Sequence, residues 1–196
     1  MTSRKPIIAV TGLGRSGTSL MMRMLDAGGI PVYAEEKVTY EFAHCERPER
    51  IIGECFGAVK LMDPVRWRPP KTERGHTIKY LFIWMQRDYK QQAQSYAKTQ
   101  RQLHALTPSR EHVRAYMKMF KKETAQAMHL LMHQYPGSRL LTVSFEALLK
   151  NPLEESRRIM GYLQPDFQPR ATQMAKVVIK RDPKCLEGFL EERYMQ

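Results

Sequence analysis

Short apolar runs alternate with longer stretches of helical periodicity along most of this chain. Pro6 to Thr11 (PIIAVT) is a near-continuous apolar run and predicts a short buried strand. Thr18 to Ala27 (TSLMMRMLDA) carries Leu and Met at helical spacing, and Gly12 to Gly17 forms a tight loop between the two. Gly28-Gly29-Ile30-Pro31 closes the helix, and Val32-Tyr33 predicts a brief extended piece. Ala58 to Leu61 (AVKL) predicts a second strand, ended by Met62-Asp63-Pro64. Tyr80 to Met85 (YLFIWM) has the unbroken apolar character of a strand buried on both faces of a parallel sheet. Tyr89 to Leu103 is predicted helical, and a longer helix from Pro108 to Gln134 has Thr107 as its N-cap and stops before Pro136-Gly137. Arg139 to Phe145 (RLLTVSF) predicts the next strand, and Asn151, Pro152 and Glu154 have the N-cap, N1 and N3 identities of a helix reaching Leu163. A last apolar piece, Val177-Val178-Ile179, precedes a short helical tail from Cys185 to Met195.

Strands alternating with helices predict a doubly wound α/β fold, a central mostly parallel sheet between two helical layers. At 196 residues, the expectation is a single domain over 1–196. With 42% hydrophobic and 27% charged residues the composition is that of an ordinary globular protein. The net charge of +12 adds something the pattern does not: an anionic partner, whether a polyphosphorylated cofactor, an acidic acceptor or nucleic acid. Residues 34–54 are the acidic exception, with six glutamates against Lys37, Arg47 and Arg50. No apolar run approaches a membrane span and Met1 to Pro6 has no signal-peptide core, so a soluble, unexported chain is expected. Cys45, Cys55 and Cys185 form no C-x-x-C pair, which fits a reducing, cytoplasmic setting. His129 and His133 stand one helical turn apart without the usual Glu partner, and a surface or packing role is expected for them.

The chemistry concentrates in Gly12-Leu13-Gly14-Arg15-Ser16-Gly17-Thr18-Ser19. Strand, glycine loop and helix in that order make an anion cradle: the glycines let successive N–H groups converge, and the helix N-terminus adds partial positive charge. The spacing Gly12-x-x-x-x-Gly17 begins a Walker A loop, but Thr18 stands where its Lys belongs and the cation, Arg15, sits inside the loop. Gln86-Arg87-Asp88 emerges from the third strand at the carboxyl edge of the sheet, where open α/β folds bind ligands. Ser95 follows Arg87 by eight positions, about two turns into the next helix.

These pieces together resemble the sulfotransferases that use 3′-phosphoadenosine 5′-phosphosulfate (PAPS), and the resemblance runs in order along nearly the whole chain. Gly14 to Ser19 is similar to the family's 5′-phosphosulfate loop in its Arg-Ser-Gly-Thr form, and Arg87 with Ser95 has the spacing of its 3′-phosphate pair. Val143 to Leu148 with Asn151-Pro152 resembles its strand-to-helix segment, and Val178-Ile179-Lys180 is similar to a segment of tyrosylprotein sulfotransferases, the nearest branch. The resemblance implies a sulfotransferase-like fold and transfer of a sulfuryl group from PAPS to a hydroxyl or amine, leaving adenosine 3′,5′-bisphosphate (PAP). It implies cofactor binding by Gly14, Arg15, Ser16, Gly17, Thr18, Ser19, Arg87, Ser95 and Lys180, with Arg15 also acting on the transferred group. Glu36, or its neighbour Glu35, takes the place of the catalytic base and Lys60 that of the catalytic lysine.

Sulfuryl transfer asks for positioning and charge stabilisation, and the lower charge of sulfate lessens the need for a metal, so none is expected. The sequence departs from the tyrosylprotein branch in its cysteines and in having Arg181 where that branch has Pro, and no signal anchor is expected for it. The acceptor therefore stays open, with the basic loop Arg66 to Arg74 pointing to an acidic or extended one, and oligomeric state is not legible. Two other readings remain: a P-loop kinase or nucleotidase with a degenerate Walker A loop, and a non-catalytic basic module for anions or nucleic acid. The last is disfavoured because the basic residues are not interleaved with aromatic stacking platforms.

Overall fold

The computed structural model describes residues 5–34, 57–73, 75–104 and 108–178. In chain order the elements are β1 (Ile7–Gly12), α1 (Thr18–Ala27), β2 (Val32–Tyr33), β3 (Ala58–Met62), β4 (Thr72–Glu73), β5 (His76–Thr77) and β6 (Tyr80–Gln86). They continue with α2 (Tyr89–His104), α3 (Arg110–His133), β7 (Arg139–Ser144), α4 (Phe145–Lys150), α5 (Pro152–Leu163) and α6 (Ala171–Lys176). Among the described residues the main sheet has the order β2-β3-β1-β6-β7 with every pair parallel, and β4 and β5 form a separate antiparallel hairpin. β1 is central: Val10 lies opposite Lys60 of β3 on one side and Ile83 of β6 on the other. The chain passes from β1 outward to β2 and β3, then crosses β1 to reach β6 and β7. That reversal puts a crevice at the carboxyl end of β1.

Both faces of the sheet are covered, which is why the central strands read as unbroken apolar runs. Ile8, Val10, Leu81, Ile83 and Met85 pack with Met21, Met22 and Leu25 of α1, Ile159 and Leu163 of α5, and Met174 of α6. The alternate positions Ile7, Ala9, Tyr80, Phe82 and Trp84 pack with Ala93 of α2 and with Phe120, Ala127, Leu130 and Leu131 of α3. Burial of each large side chain contributes roughly 1.5–3 kcal/mol. The expected three-layer α/β/α architecture is what forms.

Several boundaries differ from the sequence reading for local reasons. α3 starts at Arg110, not Pro108, because Ser109 and His112 form a reciprocal cap: the Ser109 hydroxyl accepts the His112 N–H at 3.3 Å while His112 Nδ1 accepts the Ser109 N–H at 3.1 Å. Phe145 opens α4 and does not end β7, since Ser144 caps the helix by accepting the Ala147 N–H at 3.3 Å. Asn151 precedes α5 without a side-chain capping bond, and Pro152 with the acidic first turn, Glu154 and Glu155, carries the start. The piece at Val177-Val178 is a turn following α6, a helix too short to show a period in sequence, and Val178 is buried against the α1 layer. The tail from Cys185 lies outside the described residues.

The crossover between β3 and β6 is held by aromatic hydroxyls. Tyr80 donates to the Pro70 carbonyl at 2.7 Å and Tyr135 to the Pro69 carbonyl at 2.8 Å, with the Tyr135 ring edge-on to Phe82 at 5.3 Å. Burial pushes the Tyr135 hydroxyl up from 10.0 to about 12, against the opposing pull of Arg68. A folded-state value above the unfolded one means that this contribution is complete below pH 10.0 and is lost as pH rises through about 12. Urea unfolding at pH 8 and pH 11.5 is therefore expected to show a larger alkaline loss in the native protein than in Tyr135→Phe, by about 2 kcal/mol. Equal losses would mean that Tyr135 ionises as readily folded as unfolded.

Candidate functional site

The loop between β1 and α1 folds as it does because two positions demand unusual backbone. Arg15 stands at φ 68 and Gly17 at φ 103, both left-handed. A Cβ on Gly17 would lie 2.5 Å from the Phe145 ring, so the second glycine of the motif is required both by torsion and by the approach of α4. Gly17 is also the N-cap of α1. Having no side chain, it leaves the first N–H groups of the helix without a side-chain cap, and no acidic residue occupies the first turn. Ser16 is 1% exposed, and its Oγ has no hydrogen-bond partner among the described residues. An uncapped helix start beside a buried, unpaired hydroxyl is the donor arrangement that an anion satisfies.

The side chains converging on this loop come from three other elements, two of them cations that donate and one a hydroxyl that accepts. Lys60, on β3 and 6% exposed, donates from Nζ to the Ser19 hydroxyl at 3.0 Å. From the end of β6, Arg87 donates through Nη1 to the Arg15 carbonyl at 3.3 Å, its guanidinium 4.7 Å over the Phe145 ring. Arg15 in turn donates from Nε to the Ser95 hydroxyl of α2 at 3.1 Å. The structure thus brings Arg15, Arg87 and Ser95 together although 80 positions separate Arg15 from Ser95. Thr18 is buried and its hydroxyl donates to Met62 Sδ at 3.3 Å. Glu35, Glu36 and Lys180 lie outside the described residues.

Neighbouring groups hold this arrangement. Asp88 caps α2 by accepting the Gln91 N–H at 3.0 Å, while its own N–H donates to Glu146 Oε1 at 3.0 Å. Glu146 also accepts from the Ser144 hydroxyl at 3.0 Å, which gives the Ser144-Phe145-Glu146 segment its purpose: it clamps the turn that presents Arg87. Sequence reasoning passed over Gln92, 3% exposed, whose Nε2 donates to the Gly14 carbonyl at 2.8 Å. Its signal was present, since 92 and 95 share one face of a helix. The rings of His129 and His133 lie 4.6 Å apart on an exposed face of α3, and no group of three or more metal-ligating side chains occurs among the described residues. Nor is any described helix long and apolar enough to cross a membrane.

Residues 79–169 match the sulfotransferase family, a span that includes Arg87, Ser95 and the Glu146 clamp. Among solved structures the chain is similar to a mouse sulfotransferase, SULT7A1, complexed with PAP. The two share 16% identity and superpose with a TM-score of 0.51 over 90% of this chain, which spans 64% of the mouse protein's length. A comparison with curated protein sequences returns no match. The match to the sulfotransferase family is thus carried by residues 79–169, and the chain shares its fold with a solved sulfotransferase.

Proposed function

We propose that the chain is a sulfotransferase that moves the sulfuryl group of PAPS to a hydroxyl or amine by in-line transfer. The observation that carries this reading is the contact of Arg15, Arg87 and Ser95 at the carboxyl end of β1 and β6. It joins a loop suited to a 5′-phosphosulfate with a pair suited to a 3′-phosphate. PAPS, when bound, supplies an activated sulfuryl group joined to its 5′-phosphate through a bridging oxygen.

The roles of the residues follow from their chemistry. The N–H groups from Ser16 to Ser19, with Gly14, Gly17 and the Arg15 guanidinium, hold the phosphosulfate end. Arg87 and Ser95 hold the 3′-phosphate once Ser95 exchanges its bond to Arg15 for one to the ligand, and Lys180 assists there. Lys60, anchored beside Ser19 on the first turn of α1, neutralises charge that grows on the bridging oxygen as its bond to sulfur breaks. Glu36 takes the acceptor proton as the acceptor's lone pair forms the new bond to sulfur, and the electron pair of the broken bond between sulfur and the bridging oxygen leaves on the 5′-phosphate of PAP. The exposed Arg66, Arg68 and Lys71 beside the crossover support an anionic acceptor, and the three cysteines without C-x-x-C spacing support a cytoplasmic setting.

Calorimetry with PAP and, separately, with ATP and Mg²⁺ tests the proposal. The expected outcome is metal-independent binding of PAP with ATP·Mg²⁺ at least tenfold weaker. The reverse order would make the loop a degenerate Walker A of a kinase or nucleotidase.

A further inference from the structure

Two successive carbonyls of the loop are gripped from outside by side chains that follow β6. Arg87 donates to the Arg15 carbonyl at 3.3 Å, and Gln92 donates to the Gly14 carbonyl at 2.8 Å. An anion cradle works only while its N–H groups face inward and its carbonyls face away, because a carbonyl oxygen turned toward an anion repels it. The loop does not keep this orientation unaided: Arg15 is a non-glycine residue at φ 68, a conformation that persists only where its surroundings impose it. Gln92 is 3% exposed and sits one helical turn before Ser95, so a single face of α2 supplies both the amide and the hydroxyl. The α2 wall continues through Tyr96, whose ring stands 3.9 Å from where a Gly14 Cβ would be.

We infer that Gln92 is a positioning residue for the cofactor's phosphosulfate end: its buried amide holds the Gly14 carbonyl turned away from the anion and keeps Gly14-Arg15 in the binding shape. The inference rests on the anion-binding reading of the loop. It adds a determinant that touches neither the cofactor nor the acceptor. A neutral amide suits the task, since it donates to the carbonyl without placing another charge beside Arg15 and Arg87.

Gln92→Met keeps length and volume but removes the donor, and Gln92→Glu sets an acceptor against the carbonyl. Hydrogen–deuterium exchange on the ligand-free full chain is expected to show amides of residues 13–19 exchanging about tenfold faster in Gln92→Met, with β6 and β7 at native rates, as for loss of one buried bond that orders a loop. The dissociation constant for PAP rises about tenfold in Gln92→Met and further in Gln92→Glu. Native loop exchange in a folded Gln92→Met, or acceleration spread evenly over the sheet, overturns the inference and leaves Gln92 a core amide. If the unmodified chain fails to bind PAP, the proposed function falls, while the exchange comparison still decides the role of Gln92.

Discussion

Arg87→Ala is expected to lower affinity for PAP about 100-fold while affinity for AMP falls only severalfold. The difference arises because only PAP carries the 3′-phosphate, to which a guanidinium offers charge-assisted, bidentate hydrogen bonds. Bonds to charged groups contribute roughly 1.5–3 kcal/mol, and a 100-fold change corresponds to about 2.8 kcal/mol. The AMP arm measures a second effect. Arg87 also supports the Arg15 carbonyl and stacks on Phe145, so its removal slackens the loop for any nucleotide with a 5′-phosphate. Titration calorimetry of both ligands against both proteins separates the two. Equal losses would make Arg87 a loop support and remove its 3′-phosphate role.

Lys60→Met is expected to reduce turnover by a factor of roughly 10² to 10³ and to change the dissociation constant for PAP less than about threefold, the pattern of a group whose interaction strengthens as charge develops. Met retains most of the aliphatic stem, which matters because Lys60 is 6% exposed within β3, beside the buried core of the α1 face. The lost ammonium leaves the Ser19 hydroxyl without the Lys60 bond at 3.0 Å, and Ser19→Ala serves as the control for that bond alone. With labelled PAPS as donor and a panel of hydroxyl and amine acceptors, single-turnover rates give the comparison. A Lys60→Met protein with undiminished turnover would reduce Lys60 to an anchor for α1.

The core and the cradle were readable for a common reason: both depend on neighbours in sequence. β6 shows its burial on two faces as six consecutive apolar residues, and the loop shows itself as glycines between a strand and a helix. The roles proposed for Arg87 and Ser95 had to be carried over from a resemblance, because an eight-residue offset admits many geometries. Gln92 was passed over for the opposite reason. Gln92 shares a helix face with Ser95, but on a helix that also carries Gln91, Gln94, Gln100 and Gln102 that spacing does not stand out, and it is the 2.8 Å approach of the distant Gly14 carbonyl that distinguishes it. The start of α3 was misplaced because His112 acts in a capping role that the usual pattern assigns to Glu or Gln.

By itself the sequence determined the layered α/β architecture, since hydrophobic period and turn chemistry are local properties of the chain. It also pointed to an anion cradle after β1, because glycine spacing and helix start lie within one short segment. Only the tertiary structure decided which side chains serve that loop. The parallel order β2-β3-β1-β6-β7 flanks β1 with β3 and β6, and so delivers Lys60 from one side and Arg87 from the other. The same packing aims Phe145 at Gly17 and Gln92 at Gly14. Such contacts join residues far apart in sequence, and their geometry follows from strand register and helix packing, which no local pattern records.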